Sequence, residues 1–488
     1  MLVLSAFLTG PPEAAGNDGI GTKGGPLTGE WSQRNWGKTF GGELDEEAFA
    51  LELTSDGGCI LAGRTYTFDS STGYGDAWLM KLGLGGIVEW EKSYGDVLWD
   101  AIFAVQQTPD GGYVAAGEQY PPGGSQEAWV MKLKPDGEIE WQNTYGRAEH
   151  YDSALSIRST ADGGFILLGR TQSYTFGSEQ GAWVLKLAGN GEIEWQKFLG
   201  GSEYDMLFSV EQTTDGGYVL AGGTYSYSDV PWFSEVWLVK MFPNGDIDWE
   251  KTYGGIYNDV AYSVKQSSDG GYVLACWTSF DYGDVWVLKT DSHGNLDWQK
   301  RYGGAWEDVP TALQQTSDGG FVISGYTSSF RSGDYDGWVL KLSDNGRIEW
   351  QKTFGGNGID GFNDIEETAT GYAATGYTGS FGAGEWDFWI IHFTPVGPGT
   401  LLLKSIIGSS HAVSPSMDVA ESFISGFFSN TYVFPVASIT TTSETASEET
   451  VLSEFPGNGN PPFSDQEKVH YGKGTISWPI YPNDKSTK

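Results

Sequence analysis

The chain has 488 residues, enough for one large repeat domain and a smaller one. Its 64 Asp and Glu residues outnumber 28 Lys and Arg residues, and the resulting net charge of −36 makes nucleic acid and anionic membranes poor candidate partners. No run of about 18 apolar residues is present, so the sequence predicts no membrane span.

Residues 1–33 form an arm before the first repeat. It begins with an apolar segment (MLVLSAFL) that lacks the basic region of a signal peptide and is followed by a Gly/Pro-rich tether from Gly10 to Gly29. A free apolar strand on a tether is what strand donation between subunits requires. The assembly residues predicted on this basis are Met1, Leu2, Val3, Leu4, Ala6, Phe7 and Leu8. The alternative is that this segment packs on the repeat domain or the small domain of its own chain.

A motif then returns seven times, about every 50 residues, between residues 34 and 396. It reads Trp-Gln-Lys-x-Tyr-Gly-Gly, then an Asp, then Asp-Gly-Gly-Tyr, then Trp-x-x-Lys-Leu. A period of this size made of short strands is typical of a β-propeller. The Asp-Gly-Gly step occurs at Asp56, Asp110, Asp162, Asp215, Asp269 and Asp318, and the last copy has Ala369-Thr370-Gly371 instead.

Each repeat predicts four strands, A to D, which are clearest in the fourth copy. Strand A covers Asp205 to Gln212, strand B Tyr218 to Thr224, strand C Glu235 to Met241 and strand D Asp246 to Tyr253. The Asp-Gly step between strands A and B predicts a hairpin whose two turn residues both need positive φ. Strands B and C are apolar on both faces, so each sheet must be covered on both sides, as adjacent blades cover one another.

Counting strands predicts how the ring closes. Strand D begins the series at Trp36 and recurs at Trp90, Trp141, Trp195, Trp249, Trp298 and Trp350, whereas strand C, centred on Trp78, Trp129, Trp183, Trp237, Trp286, Trp338 and Trp389, ends it. The first strand in sequence is therefore the one that the last repeat lacks. We predict an all-β, seven-bladed β-propeller closed by this N-terminal strand, with the repeated Trp residues packed between blades.

These motifs resemble the tandem β-propeller repeats of secreted and cell-surface proteins of archaea and bacteria, many of them thermophilic. The resemblance covers residues 34–396 and implies an extracellular or cell-surface setting, but no particular reaction. The seventh copy departs from the pattern, with His392 where the other copies carry Lys81, Lys132, Lys186, Lys240, Lys289 or Lys341. We expect the six lysines to neutralise neighbouring carboxylates, with a ligand-binding ring as the alternative.

One carboxylate recurs where strand A begins. The series is Glu46, Asp100, Asp152, Asp205, Asp259, Asp308 and Asp360. Because strand A normally lines the axis, these residues predict an acidic ring near one channel mouth, and oxygen ligands suit Ca²⁺. The alternative is that each carboxylate accepts hydrogen bonds from the preceding Gly-Gly loop. A second, partial series precedes strand C on the same face: Asp76, Glu127, Glu235, Asp284, Asp336 and Asp387.

The loops between strands B and C vary in length and are rich in aromatic residues. The ligand-loop residues predicted here are Tyr66, Tyr120, Tyr174, Trp232, Tyr282, Phe330 and Trp386. Aromatic residues among Ser, Gly and Asp suit contact with sugar or protein, although loop aromatics can also pack on one another.

Residues 397–488 predict a small β-rich C-terminal domain that contains a Ser/Thr-rich segment at residues 438–448. The five histidines show no metal-ligand spacing, and no nucleophile elbow, P-loop or dinucleotide fingerprint occurs, so we expect no catalytic residues and no organic cofactor. The first hypothesis for function is an extracellular structural subunit of a filament, sheath or surface array, assembled by strand exchange with itself. The second is an adhesin or carbohydrate-binding propeller, and the third is an enzyme acting on extracellular polysaccharide.

Overall fold

The structure is a computed structural model that describes residues 35–67, 74–95, 98–121, 124–146, 150–172, 181–331 and 333–395, together with the backbone of residues 405–407. The arm at residues 1–33 and nearly all of residues 397–488 lie outside the described residues. The predictions made for Met1 to Leu8 and for the C-terminal domain therefore stay predictions.

Seven sheets form the described part of the chain, and each has an innermost strand that begins with a carboxylate. The innermost strands are β2 (Glu46–Leu53), β6 (Asp100–Gln107), β10 (Asp152–Ser159), β14 (Asp205–Gln212), β18 (Asp259–Gln266), β22 (Asp308–Gln315) and β26 (Asp360–Thr368). Each of these strands contacts the next, and β26 contacts β2, so the seven strands close a ring around an axis. The predicted seven-bladed β-propeller is confirmed.

The second and third strands of each blade carry most of the buried apolar residues. The second strands are β3 (Cys59–Thr65), β7 (Tyr113–Gln119), β11 (Phe165–Thr171), β15 (Tyr218–Thr224), β19 (Tyr272–Thr278), β23 (Phe321–Thr327) and β27 (Gly371–Thr378). The third strands are β4 (Asp76–Gly83), β8 (Glu127–Leu133), β12 (Gly181–Leu187), β16 (Glu235–Met241), β20 (Asp284–Thr290), β24 (Asp336–Leu342) and β28 (Asp387–Phe393). Their near-continuous burial follows from a blade packing on each face.

The outer strands are more polar and partly exposed. They are β1 (Trp36–Phe40), β5 (Ile87–Tyr94), β9 (Ile139–Tyr145), β13 (Ile193–Leu199), β17 (Ile247–Tyr253), β21 (Leu296–Tyr302) and β25 (Ile348–Phe354). Two single-turn 3₁₀ helices cover Leu84–Gly86 and Phe280–Tyr282. Within the described residues, no helix is long and apolar enough to cross a bilayer.

The N-terminal strand completes the last blade. Strand β1 pairs antiparallel with β28, in a register that places Trp36 opposite His392 and Phe40 opposite Phe388. A further short strand, β29 (Ser405–Ile407), pairs in parallel with the outer edge of β1, so this blade has five strands.

Hydrophobic clusters fill the junctions between neighbouring blades. The cluster between the seventh and first blades, for example, joins Phe388 and Ile390 to Trp78 and Met80. The Trp of every third strand is buried, with Trp78 only 1% exposed, whereas Trp90 of an outer strand is half-buried and lies edge-on to Tyr113 of the next blade. The repeated Trp residues therefore pack between blades, as the sequence predicts.

The turn after each first strand differs in one detail from the sequence-based expectation. In the first blade, Gly57 N–H donates to Thr54 O and Thr54 N–H donates to Gly58 O, both at 2.9 Å, which encloses the three residues Ser55 to Gly57. Gly57 has φ of 85°, but Asp56 does not have positive φ. The expectation that both turn residues need positive φ is wrong, because a three-residue loop needs only its last residue in the left-handed region.

Candidate binding surface on the loop face

The connections between strands divide into two faces. Tight turns after the first and third strands form one face, here called the turn face. The loops after the second strands and the connections from each outer strand to the next blade form the other, here called the loop face. The carboxylates that begin the innermost strands therefore lie on the loop-face side of the blades.

These carboxylates are buried. Asp205 accepts hydrogen bonds from Gly201 N–H at 2.7 Å and from Ser226 Oγ at 2.6 Å, and Asp308 accepts from Gly304 N–H and Ser329 Oγ, each at 2.8 Å. Glu46 and Asp360 accept in the same way from Gly42 N–H and Gly356 N–H, each at 2.8 Å. In these four blades the carboxylate thus orders the Gly-Gly loop that precedes its strand, as the second alternative for the series expects.

A second carboxyl group from the neighbouring blade lies close to this loop. A methyl group built on Gly303 would lie 2.0 Å from Asp284 Oδ1 and 2.8 Å from Asp308 Oδ2, and Gly355 lies in the same way between Asp336 and Asp360. The two acidic series therefore meet at the blade junctions. Burial raises the pKa of Asp308 to about 6, and burial together with the charge of Glu46 raises that of Asp387 to about 7.

In the part of the chain that the structure describes, no three His, Cys, Asp or Glu side chains come together closely enough to hold a metal ion. The acidic residues are distributed around the ring in junction pairs. Ca²⁺ at this ring stays a prediction from the sequence.

The six repeated lysines are buried and each forms an ion pair with the Asp of the Asp-Gly-Gly turn. The N–O distances lie between 2.8 and 3.0 Å. The lysines therefore neutralise neighbouring carboxylates, as expected. Because their ammonium groups are engaged in these pairs, they do not form a ligand-binding ring.

The loop aromatics separate into packed and exposed residues. Tyr66 accepts a hydrogen bond from Trp99 Nε1 at 3.1 Å, Phe330 packs on Trp338 and Trp386 packs on Tyr377, and all three rings are half-buried. Tyr120 is likewise half-buried and lies 6.0 Å from Trp99, measured between ring centroids. Tyr174 lies outside the described residues. The remaining two residues predicted for ligand contact, Trp232 and Tyr282, project into solvent, with 63% and 72% exposure.

Both exposed residues have an uncommon backbone conformation. Trp232 has φ of 79° and Tyr282 has φ of 81°, and they are the two non-glycine residues with positive φ among those that the structure describes. Such a conformation costs free energy for a bulky side chain, so other interactions must hold it in place.

Two more exposed apolar side chains lie in connections on the same face. Ile256 is 40% exposed and Trp306 is 55% exposed; both lie in connections that enter the fifth and sixth blades. The rings of Trp306 and Tyr282 are 5.8 Å apart. We call Trp232, Ile256, Tyr282 and Trp306 the aromatic patch. Sequence reasoning considered only the loops after the second strands and so missed Ile256 and Trp306.

Hydrogen bonds centred on Asn258 join the two loops that carry Trp232 and Tyr282. Its side-chain Oδ1 accepts from Ser234 N–H at 3.0 Å, and its own N–H donates to Ser279 Oγ at 2.9 Å. In the loop that carries Tyr282, Phe280 packs edge-on against Tyr257, with ring centroids 4.9 Å apart. The guanidinium of Arg301 covers Phe280 at 3.8 Å and pairs with Asp284 at 3.2 Å. These contacts fix the conformation of the loops that carry the exposed rings.

No protein-family model and no curated protein sequence matches this chain. Among solved structures, the chain is similar to a protein of unknown function from Bacteroides caccae at 14% identity, over 57% of this chain and 90% of that one, with a TM-score of 0.38. It is similar to Sqt1 from Chaetomium thermophilum at 13% identity, over 74% and 98%, with a TM-score of 0.42. It is also similar to the Pan2 WD40 domain of Neurospora crassa at 13% identity, over 56% and 74%, with a TM-score of 0.37.

Proposed function

We propose that this protein is an extracellular carbohydrate-binding propeller, of the adhesin type, that recognises a neutral glycan through the aromatic patch. The observation that carries this proposal is the pair of exposed aromatic residues, Trp232 and Tyr282, held at positive φ on neighbouring blades of one face. Backbone strain of this kind concentrates at functional sites, and exposed apolar patches on a monomer mark sites of contact.

The chemistry of the patch favours sugar. Flat rings of Trp and Tyr offer a large contact area at low cost in conformational entropy, and the apolar C–H faces of a sugar ring stack on them. The net charge of −36 disfavours a sulfated or uronic acid polymer, so a neutral oligosaccharide is the expected ligand. The extracellular setting comes from the resemblance of the repeats and is part of this proposal.

A screen of the full-length protein against immobilised neutral and acidic oligosaccharides tests the proposal. We expect binding to a restricted set of neutral glycans that is lost in Trp232→Ala and Tyr282→Ala. Phe242→Ala is the matched control, because Phe242 is 47% exposed but lies in a turn on the turn face. Absence of glycan binding, or equal loss in the control, would contradict the proposal.

A second candidate function is self-assembly into an extracellular filament, sheath or array. The observation that favours it is β29, because it shows the outer edge of the closing blade accepting a further strand. An edge that accepts one strand is a ready template for another. Electron microscopy of full-length protein beside a variant that lacks residues 1–33 but keeps β1 tests this function. Polymers formed only by the full-length chain support it, and monomers in both samples exclude it.

A further inference from the structure

A cavity of about 140 Å³ lies on the axis of the propeller, between the innermost strands. Each of these strands has a β-bulge, and in every blade the bulged residue lines the cavity. The bulged residues are Phe49, Phe103, Leu155, Phe208, Tyr262, Thr311 and Asn363. A bulge changes the direction of one side chain while the strands on either side of it stay paired. Each blade therefore places one side chain at the axis.

The residue three positions after the bulged residue differs in type among the seven blades. In the second, fourth and sixth blades these residues are Gln106, Glu211 and Gln314, whose side chains accept hydrogen bonds from the backbone N–H groups of Ser159, Gln266 and Glu367 at 2.5 to 2.8 Å. Their role is to join adjacent innermost strands.

In the remaining four blades the equivalent residues are charged and line the cavity: Glu52, Arg158, Lys265 and Glu366. Gln314 lines it as well, and its Nε2 donates to Glu366 at 2.5 Å. The acidic pair lies on the first and seventh blades, which are neighbours. Asp364 of the seventh blade adds a third carboxylate to this wall, and its two oxygens accept from Leu51 N–H and Ile365 N–H at 2.9 Å each. The basic pair lies on the third and fifth blades, across the axis. The cavity therefore has an acidic wall and a basic wall.

The two walls are not joined directly. Among the ion pairs with N–O distances up to 4.0 Å that the described residues form, none links Arg158 or Lys265 to Glu52, Asp364 or Glu366. Opposite charges held apart across a small cavity leave room for a bridging molecule. These charges are deep in the fold and only half-exposed, so solvent screens them less than surface charges.

From this arrangement we infer that the axial cavity binds a small zwitterion, with its carboxylate toward Arg158 and Lys265 and its ammonium toward Glu52. The size fits a free amino acid, because a cavity of roughly 150 Å³ holds a ligand of about six non-hydrogen atoms. Burial and the neighbouring carboxylates raise the pKa of Glu366 to about 8. Burial also raises the pKa values of Glu52 and Asp364, although Arg158 and Lys265 act to lower them. A ligand that carries both an anionic and a cationic group matches the two walls. This site is separate from the aromatic patch.

Isothermal titration calorimetry of the full-length protein at pH 7 and low salt, with glycine and L-alanine as probes, tests this inference. We expect Lys265→Gln and Glu52→Gln each to weaken binding about tenfold or more. Lys197→Gln is the matched control, because Lys197 pairs with Asp246 outside the cavity, on an outer strand. Circular dichroism of each variant verifies folding.

Acetate and methylammonium supply each charge alone and should bind at least about tenfold more weakly than glycine. Equal binding of acetate would overturn the inference in favour of an anion site, and equal binding of methylammonium in favour of a cation site. If neither amino acid binds with a Kd below about 1 mM, the cavity is not a zwitterion site.

Discussion

The ammonium nitrogen of Lys186 lies 3.0 Å from a carboxylate oxygen of Asp162, and this pair joins the third strand of its blade to the turn between the first two. Lys186 is buried, while the Asp162 side chain is 57% exposed. The carboxylate of Asp162 therefore neutralises the buried ammonium while remaining in contact with solvent. Burial raises the pKa of Asp162, but the hydroxyl of Thr160, Gly164 N–H and Lys186 lower it more, to about 2. The seventh blade lacks both partners and instead has His392 Nε2 3.1 Å from Thr368 Oγ1. Both members of the ion pair are therefore replaced together in the seventh blade.

Asp162→Ala should therefore lower the free energy of unfolding by roughly 1.5–3 kcal/mol, since it removes charge-assisted hydrogen bonds from a buried ammonium. Chemical denaturation measures this loss. Adding Lys186→His, which reproduces the pairing of the seventh blade, should restore part of the stability. A double variant as unstable as the sum of the two single variants would show that the two sites are independent.

Gly303→Ala should destabilise the junction between the fifth and sixth blades by about 2 kcal/mol or more, because its methyl group would overlap Asp284 and Asp308. Gly270→Ala is the control. Gly270 has φ of 88° and open space around it, so alanine there meets only the backbone cost of about 1 kcal/mol. Thermal or denaturant unfolding of both variants compares the two costs, and equal losses would refute the steric account of the Gly-Gly loop.

The junction carboxyls make stability fall as pH rises. The pKa values of Asp259 and Asp387 are raised to about 7 and that of Asp308 to about 6, in each case mainly by burial, so the folded state holds protons that the unfolded chain releases near pH 4. The stability that these protons provide is lost as pH rises through about 6 to 7. Asp162 acts in the opposite sense below about pH 4, because its pKa is lowered.

Thermal unfolding across the pH range should therefore show maximum stability near pH 4, with a decline between about pH 4 and pH 7 that levels off above pH 7. Asp308→Asn should reduce that decline. A melting temperature that rises steadily from pH 5 to pH 8 would contradict the assignment of raised pKa values to these carboxyls.

Asn258 positions the aromatic patch without belonging to it. Asn258→Ala should weaken glycan binding several-fold, because it removes the side-chain oxygen that accepts from Ser234 N–H, while the backbone hydrogen bond to Ser279 remains. The loop that carries Trp232 must then be ordered when the ligand binds, which costs part of the binding free energy. Calorimetry should show the loss mainly as a less favourable entropy, with global stability changed by about 1 kcal/mol. Unchanged affinity would mean that the loops are fixed by other contacts.

The sequence predicts the ring well and the binding surface only in part. The spacing of Trp36 and Trp389 is sufficient to predict closure, because pairing of the first and last strands depends on a local pattern repeated seven times. Which loop aromatics are exposed depends on contacts outside the repeat. Tyr66 accepts a hydrogen bond from Trp99 and is half-buried, whereas Tyr282 contacts Trp306 and stays exposed. The bulge that turns Phe49 toward the axis cannot be recognised from the spacing of apolar residues in the sequence. The lining of the axial cavity therefore could not be predicted.

Binding of a neutral glycan by the aromatic patch is tested most directly by the dissociation constant of the best ligand from the screen, measured for wild type, Trp232→Ala, Tyr282→Ala and Phe242→Ala. We predict a loss of about 1–3 kcal/mol, or roughly tenfold to a hundredfold in Kd, for each patch variant and no change for Phe242→Ala. Equal Kd values in all four proteins would show that the aromatic patch does not bind the glycan.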